Sequence, residues 1–223
     1  EGDVVWASDR GGVVWRVDPS GDGDPSGSRL VPPGDHRLDL ALARGTLWVA
    51  DPSGDNLYSV TDSDEVTEHP VAGEPITDVA ASGAMVWTLG AEGTVRAWSD
   101  DGSSRVLATV AVAALSDLAA GFNSVWVSSG DGVVYKIDPA TGDVEAEARV
   151  GDSYADLALA DDAVIVLAAK QEGSSELVEL DPITGEVRTE PLEIRGEPVD
   201  VTADADSIWV PDQRDGAVLR IQD

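Results

Sequence analysis

Apolar and β-branched residues occur along this chain in short runs, separated by turns rich in Gly, Asp and Ser. Such runs are typical of β-strands rather than of helices. One run recurs at a nearly constant spacing, with a Trp or an Ile inside each copy. These register positions are Trp6, Trp48, Trp87, Trp126, Ile165 and Trp209. Because they stand 39 to 44 residues apart, we predict that one structural unit is repeated about six times.

Each unit carries the pattern of four short strands. A Gly- or Asp-rich hairpin turn follows the register strand and leads to a second run, such as VVYKID at 133–138. Five units have an inner run before the register position, and five have a weaker outer run at their end. No window keeps apolar residues at i, i+3, i+4 and i+7 for more than a turn, so we expect no helices.

Four strands in roughly 40 residues, repeated about six times, predict a β-propeller. The expected fold is all-β: six blades of four antiparallel strands, in a single domain spanning 1–223. The first unit has no inner run and the last has no outer run, so we expect both terminal blades to be incomplete in this chain. A six-bladed ring is preferred to a protein that continues further, because closure removes exposed sheet edges.

An aspartate stands nine residues before each of the last five register positions. The set is Asp39, Asp78, Asp117, Asp156 and Asp200. If the inner strands line a central channel, these carboxylates form a ring, which suits a hard cation such as Ca²⁺ or Mg²⁺. Alternatively, each carboxylate accepts backbone N–H groups from the neighbouring blade. We prefer the second interpretation, keep the ring as a candidate binding site, and assign neither a cofactor nor a metal ligand.

The net charge of the chain limits the kinds of partner that it can bind. The chain has 43 acidic and 14 basic residues, a formal net charge of −29, and no cysteine. Such a surface repels nucleic acids and anionic lipids, so basic partners or cations suit it better, although abundant acids also serve solvation alone. No apolar run approaches about 18 residues, so we expect no membrane insertion by this segment. We expect a monomer.

Several other residues are weaker candidates. Arg10 and Arg214 occupy similar turns in the first and last units, and we predict that they lie close together and could bind an anionic group. The stretch DGDPSGS at 22–28 resembles the start of an EF-hand loop, but Pro33 stands where a Glu belongs, so we expect a flexible insertion.

The aromatic and imidazole side chains are interpreted as structural. We expect the register tryptophans to fill the space between blades, whereas Trp15 and Trp98 fall off the register and are better surface candidates. His36 and His69 are expected to be solvated imidazoles on outer or connecting segments.

The unit GFNSVWVSSGDGVVYKIDPATGDVEAEARVG at 121–151 resembles the repeats of YVTN-type, NHL-type and virginiamycin B lyase-like propellers. GTLWVADPSGDNLYSVT at 45–61 looks like an NHL repeat, and DPATG at 138–142 recurs as DPITG at 181–185. The resemblance covers the whole chain and implies the propeller fold. It would also imply paired catalytic histidines and a divalent cation in a lyase, but neither His36 nor His69 matches that pattern.

We therefore expect a non-enzymatic recognition or sensor module without catalytic residues. Its resemblance to NHL-type sensor domains suggests the extracytoplasmic part of a larger bacterial envelope protein, placed outside the cell or in the cell envelope. A protein or small-molecule ligand would bind the loops of one face. The alternative is a lyase or hydrolase with a carboxylate or metal site at the channel mouth.

Overall fold

The computed structural model describes residues 4–17, 26–29, 38–52, 56–71, 73–99, 102–110, 117–153, 155–170, 174–204 and 206–222. Within these ranges the chain forms 22 strands and no helix. The strands make six antiparallel sheets in chain order, here called blades 1 to 6. Each blade contains one register position, so the predicted repeat is confirmed.

Blades 2 to 5 have four strands each. Blade 2 contains β4 (Asp39–Ala43), β5 (Thr46–Ala50), β6 (Asn56–Val60) and β7 (Val66–Pro70). Blade 3 contains β8 (Ile76–Ser82), β9 (Met85–Gly90), β10 (Thr94–Trp98) and β11 (Ser104–Thr109). Blade 4 contains β12 (Asp117–Gly121), β13 (Ser124–Ser128), β14 (Val133–Ile137) and β15 (Val144–Arg149). Blade 5 contains β16 (Ala155–Leu159), β17 (Val164–Ala169), β18 (Ser175–Leu180) and β19 (Leu192–Ile194).

The two terminal blades have three strands each among the described residues. Blade 1 contains β1 (Val5–Ser8), β2 (Val13–Val17) and β3 (Ser26–Arg29). Blade 6 contains β20 (Thr202–Ala203), β21 (Ile208–Asp212) and β22 (Ala217–Ile221). Among the residues that the structure describes, blade 1 shows no inner strand and blade 6 no outer strand, as predicted.

Two strands depart from their predicted bounds. The inner strand of blade 6 is only two residues long, so Asp200 precedes it instead of lying within it. In blade 1 the outer strand begins at Ser26, inside the stretch that we expected to form a flexible loop. Residue 27 in this strand is a glycine because a Cβ there would come within 2.7 Å of the Trp15 ring. Ring packing, rather than turn formation, accounts for this glycine.

The chain divides into two compact units. The first comprises Glu1–Ala91 and Val95–Arg105, and the second comprises Glu92–Thr94 and Val106–Asp223. Blades 1 and 2 belong to the first unit and blades 4 to 6 to the second. That 1–223 forms one domain stays a prediction.

Several register side chains pack between neighbouring blades of one unit. Trp126 of blade 4 is 1% exposed and shares a cluster with Leu157 and Val166 of blade 5. Trp48 of blade 2 likewise shares a cluster with Ile76 of blade 3.

The interpretation of the register positions as core residues is confirmed for Trp48, Trp87, Trp126 and Ile165, which are at most 5% exposed. Trp6 is half-buried, and Trp209 corrects the expectation: it is half-buried, and its Nε1 donates to Asp204 Oδ2 at 3.2 Å. Large side chains at this position fill the widening space between twisted sheets, where burial stabilises by about 1.5–3 kcal/mol per side chain.

Trp98 corrects one expectation. It is 2% exposed, and its indole Nε1 donates a hydrogen bond to the Thr88 hydroxyl at 2.9 Å. The off-register position therefore places this ring in the core, because the third strand also has a buried face. Trp15 is half-buried, and its Nε1 donates to Asp9 Oδ2 at 3.0 Å.

The repeated DPxTG segments form the same turn in blades 4 and 5. Asp138 Oδ1 accepts the N–H groups of Ala140 and Thr141 at 2.6 and 3.0 Å, and these bonds lower the pKa of Asp138. Gly142 has φ 82°, which explains the glycine at the end of the motif. The predicted turn after the third strand is therefore confirmed. Lys136 Nζ donates to the carbonyl oxygen of Ile183, in the DPITG turn of blade 5, at 2.7 Å.

Candidate functional site

The inner-strand aspartates are the candidate site with the most regular geometry. Asp39 and Asp117 begin their inner strands and are half-buried. Asp78 and Asp156 lie within theirs and are buried. Asp200 lies two residues before β20 and is exposed. Five in-phase carboxylates thus lie on or beside inner strands, as the nine-residue spacing predicted.

In the second compact unit, two of these carboxylates connect neighbouring blades. Asp117 Oδ2 accepts the backbone N–H of Leu157, one residue after Asp156 in blade 5, at 2.7 Å. Asp156 Oδ2 accepts the N–H of Val201, one residue after Asp200 in blade 6, at 3.0 Å. Each carboxylate therefore bonds the residue that follows the aspartate of the next blade.

The first compact unit repeats this contact. Asp39 Oδ2 of blade 2 accepts the N–H of Val79 in blade 3 at 2.8 Å. The same N–H is also close to Asp78 Oδ1, at 2.7 Å. The geometry that we preferred from the sequence is thus present at three blade junctions. Whether the set also binds a ligand or a cation stays a prediction.

Asp200 has the most perturbed environment in the set. Val201 N–H lies between Asp156 Oδ2 at 3.0 Å and Asp200 Oδ1 at 2.7 Å, so the two carboxyl groups converge on one donor. Desolvation, followed by the hydrogen bond and the charge of Asp156, raises the pKa of Asp200 to about 6. Two carboxyl groups in such contact favour sharing one proton over carrying two charges.

A second type of blade junction was missed from the sequence. Ser128 stands two residues after the register Trp126, and its hydroxyl donates to the carbonyl oxygen of Ala155 in blade 5. Ser8, two residues after Trp6, donates to the carbonyl oxygen of Leu38 in blade 2 at 3.1 Å. Aligning the units on the register position places both serines in one column, so this signal was present but unused.

The two arginine candidates lie in different compact units, and none of the described contacts joins them. Arg10 is exposed in the turn after β1, in the first compact unit. Arg214 lies in the β21–β22 turn of the second unit, where Nη2 is 3.3 Å from Glu197 Oε1. The predicted proximity of the two guanidinium groups stays a prediction.

His69 corrects the expectation of a solvated imidazole. Its ring stacks on Trp48 with centroids 5.1 Å apart, and its Nε2 is 2.8 Å from the Ser59 hydroxyl. Burial lowers the pKa of His69, which favours the neutral ring. This histidine is therefore a packing residue of blade 2. His36, Asp22, Asp24 and Pro33 lie outside the described residues.

The described residues contain no group of three or more His, Asp or Glu side chains arranged to hold a metal ion. In the same ranges, no helix has the length and hydropathy needed to span a bilayer.

Comparison with solved structures gives the fold. The WD40 domain of Pan2 from Neurospora crassa superposes with a TM-score of 0.75 at 10% identity, over 96% of this chain and 70% of that one. A virginiamycin B lyase from Staphylococcus aureus gives 0.69 at 14% identity, over 100% and 84%. The computationally designed protein Ika8 gives 0.67 at 18% identity, over 100% and 69%. The fold is a β-propeller.

At 10 to 18% identity these similarities show the propeller fold alone. No family model matches the chain, and no curated protein matches its sequence. The predicted resemblance to lyase-like propeller repeats is confirmed at the level of the fold, while activity must be argued from the residues of this chain.

We predict that Asp117→Ala destabilises the protein by about 1–3 kcal/mol, because the Leu157 N–H loses its acceptor inside a blade junction. The shift of the urea unfolding midpoint measures this loss. Asp152→Ala is the matched control, since that aspartate is exposed, and its effect should stay below about 0.5 kcal/mol. Equal losses in the two variants would contradict a structural role for the Asp117 carboxylate.

Asp200 predicts a pH dependence of stability. Because its pKa is about 6 in the folded protein and about 3.9 in an unfolded chain, folding takes up a proton between these values. The free energy of unfolding contributed by Asp200 therefore falls as the pH rises from about 4 to about 6. Asp200→Asn cannot ionise, so it should remove this contribution.

Urea unfolding of wild type and Asp200→Asn at pH 4.5 and pH 6.5 tests this prediction. The variant should gain stability relative to wild type on going to the higher pH. Asp152→Asn is the control and should follow the wild type. An unchanged difference between Asp200→Asn and wild type at the two pH values would refute the assigned titration.

Proposed function

We propose that this chain is a non-enzymatic recognition or sensor module, and that it forms the extracytoplasmic part of a larger bacterial envelope protein. The observation that carries the proposal is the use of the inner-strand carboxylates. Asp39, Asp117 and Asp156 each direct one oxygen to a backbone N–H of the next blade. The most prominent acidic set thus has a structural use, and recognition falls to loops and grooves at the surface.

The surface charge supports a recognition role with basic partners. At a formal net charge of −29, the chain attracts cationic groups at long range and raises their association rate. The sequence resemblance to NHL-type sensor repeats supports the extracytoplasmic placement. Ligands outside the cell reach a protein in that location without crossing a membrane.

The alternative is a lyase or hydrolase with a carboxylate or metal site at the channel mouth. The pair Asp156 and Asp200 favours it most, because two adjacent carboxyl groups, one of them with a raised pKa, can serve as acid and base. Calorimetric titration of Ca²⁺ and Mg²⁺ into chelator-treated protein distinguishes the two proposals. For the recognition module we predict no saturable heat in wild type or in Asp117→Ala.

Saturable binding in wild type that is lost in Asp117→Ala would favour the metal-dependent alternative. Asp152→Ala again serves as the control, because it removes an exposed carboxylate without touching the inner strands. Its titration should match the wild type in either case.

The placement is tested with the product of the complete gene, tagged within the propeller and expressed in its bacterial host. We predict that protease added to intact spheroplasts degrades the propeller while a cytoplasmic marker stays protected. Protection of both proteins, with degradation only after lysis, would overturn the extracytoplasmic placement.

A further inference from the structure

A cavity of about 390 Å³ lies between blades 4 and 5 of the second compact unit. The β12–β13 hairpin and the last two strands of blade 4 form one part of its lining, and the DPITG turn of blade 5 forms the other. Among the lining residues are Phe122, Asn123, Lys136, Glu145 and Ile183. This volume falls in the range of about 300–1,000 Å³ that is usual for small-molecule sites.

Two apolar side chains of the lining are exposed. Phe122 of blade 4 is 37% exposed, and Ile183 of blade 5 is 81% exposed. Ile183 occupies the variable position of the DPxTG turn, where the copy in blade 4 has Ala140. The cavity thus offers an aromatic ring from one blade and an aliphatic side chain from the next.

The backbone holds Phe122 in a conformation that aromatic residues rarely adopt. Phe122 has φ 55° and Asn123 has φ 56°. Asn enters this left-handed region at little cost, whereas a bulky side chain is strained there. The equivalent turn of blade 2 instead ends its left-handed pair with a glycine, Gly45, after Arg44. A strained residue with an exposed ring points to a ligand, because such strain concentrates at binding and active sites.

Lys136 supplies a fixed hydrogen-bond donor to the cavity. Its side chain is 10% exposed, and its Nζ donates to the carbonyl oxygen of Ile183 at 2.7 Å and lies 3.0 Å from Glu145 Oε2. An ammonium group has three N–H donors. Within the described ranges Lys136 has only these two side-chain partners. One donor of a nine-tenths buried lysine is therefore left for a molecule in the cavity.

The other polar groups of the lining are also available. Glu145 is exposed, and in the described part of the chain its Oε1 has no partner. The exposed side-chain amide of Asn123, which offers both a donor and an acceptor, has none there either. Because the charges of Lys136 and Glu145 balance, the lining has no net charge. It therefore suits a neutral molecule that carries hydroxyl groups and an apolar face.

We propose that this cavity binds one sugar residue of a neutral carbohydrate. A pyranose ring has an apolar C–H face that packs on an aromatic ring, and its hydroxyl groups donate to carboxylates and accept from amide and ammonium groups. Phe122 would pack against that face, while Lys136, Glu145 and Asn123 would bond the hydroxyl groups. This inference names a ligand class for the proposed recognition role and rests on it.

The charges of the chain select against other sugars. An anionic sugar must approach against a formal net charge of −29. Lys136, the one cation in the described lining, is already paired with Glu145 and does not offset that field. A cationic ligand meets the Lys136 ammonium beside the carboxylate that would bind it. A neutral sugar has neither disadvantage.

Nuclear magnetic resonance with the 223-residue chain tests the proposal. The probes are the methyl glycosides of glucose, galactose, mannose and N-acetylglucosamine, and the methyl glycoside of glucuronic acid is the anionic control. Each is titrated into isotope-labelled protein. We expect at least one neutral sugar to cause saturable shifts in the amide resonances of Phe122, Asn123 and Ile183. The glucuronide should bind at least about fivefold more weakly.

Substitutions in the β12–β13 turn separate binding from folding. Phe122→Gly removes the ring but readily adopts φ 55°, so the turn is kept and the affinity should fall at least about fivefold. Phe122→Tyr keeps an aromatic ring and should bind within about twofold of wild type. Asn123→Gly also suits its φ of 56° and should weaken binding about threefold through the loss of the amide.

Val106→Ala is the matched control for truncation of an exposed apolar side chain. Val106 is 51% exposed in β11 and does not line the cavity, so its substitution should leave the affinity unchanged. If Phe122→Gly does not fold, Asn123→Gly carries the same comparison.

The inference would be overturned if none of the four neutral sugars caused saturable shifts, or if the shifts were confined to residues outside the cavity. Equal affinity of Phe122→Gly and wild type, or tighter binding of the glucuronide than of every neutral sugar, would also contradict it. Any of these outcomes with the propeller still protease-accessible in spheroplasts would refute this inference and leave the proposed function standing.

Discussion

Three junctions between neighbouring blades depend on one contact, in which an aspartate of one inner strand accepts a backbone N–H beside the next aspartate. The inner strand is the edge of its own sheet, so the N–H groups on its free side have no ladder partner. Asp117 satisfies such a donor at Leu157, and Asp156 satisfies one at Val201. A buried donor without a partner would cost about 1–3 kcal/mol, so the repeated aspartate removes a repeated cost.

The same hairpin carries the apolar half of each junction. Asp117 and Trp126 lie on paired strands of blade 4, where Asp117 pairs with Ser128 and Ala119 pairs with Trp126. Polar contacts therefore form at one end of the hairpin, while the indole packs against blade 5 further along it. A fixed register between the strands keeps both contacts in phase, because a shift by one residue would turn both side chains to the opposite face.

The repeat made most of the fold predictable, because a strand pattern seen six times leaves little ambiguity about any single copy. Features set by one copy alone were not predictable. Trp98 is buried and hydrogen-bonded to Thr88, and His69 is half-buried against Trp48. Neither contact corresponds to a recognisable local sequence pattern. Ser8 and Ser128 share one column when the units are aligned, but small polar residues are common in strands, so the column alone does not predict a contact between blades. The convergence of Asp156 and Asp200 on one N–H depends on distances between strands, which spacing cannot give.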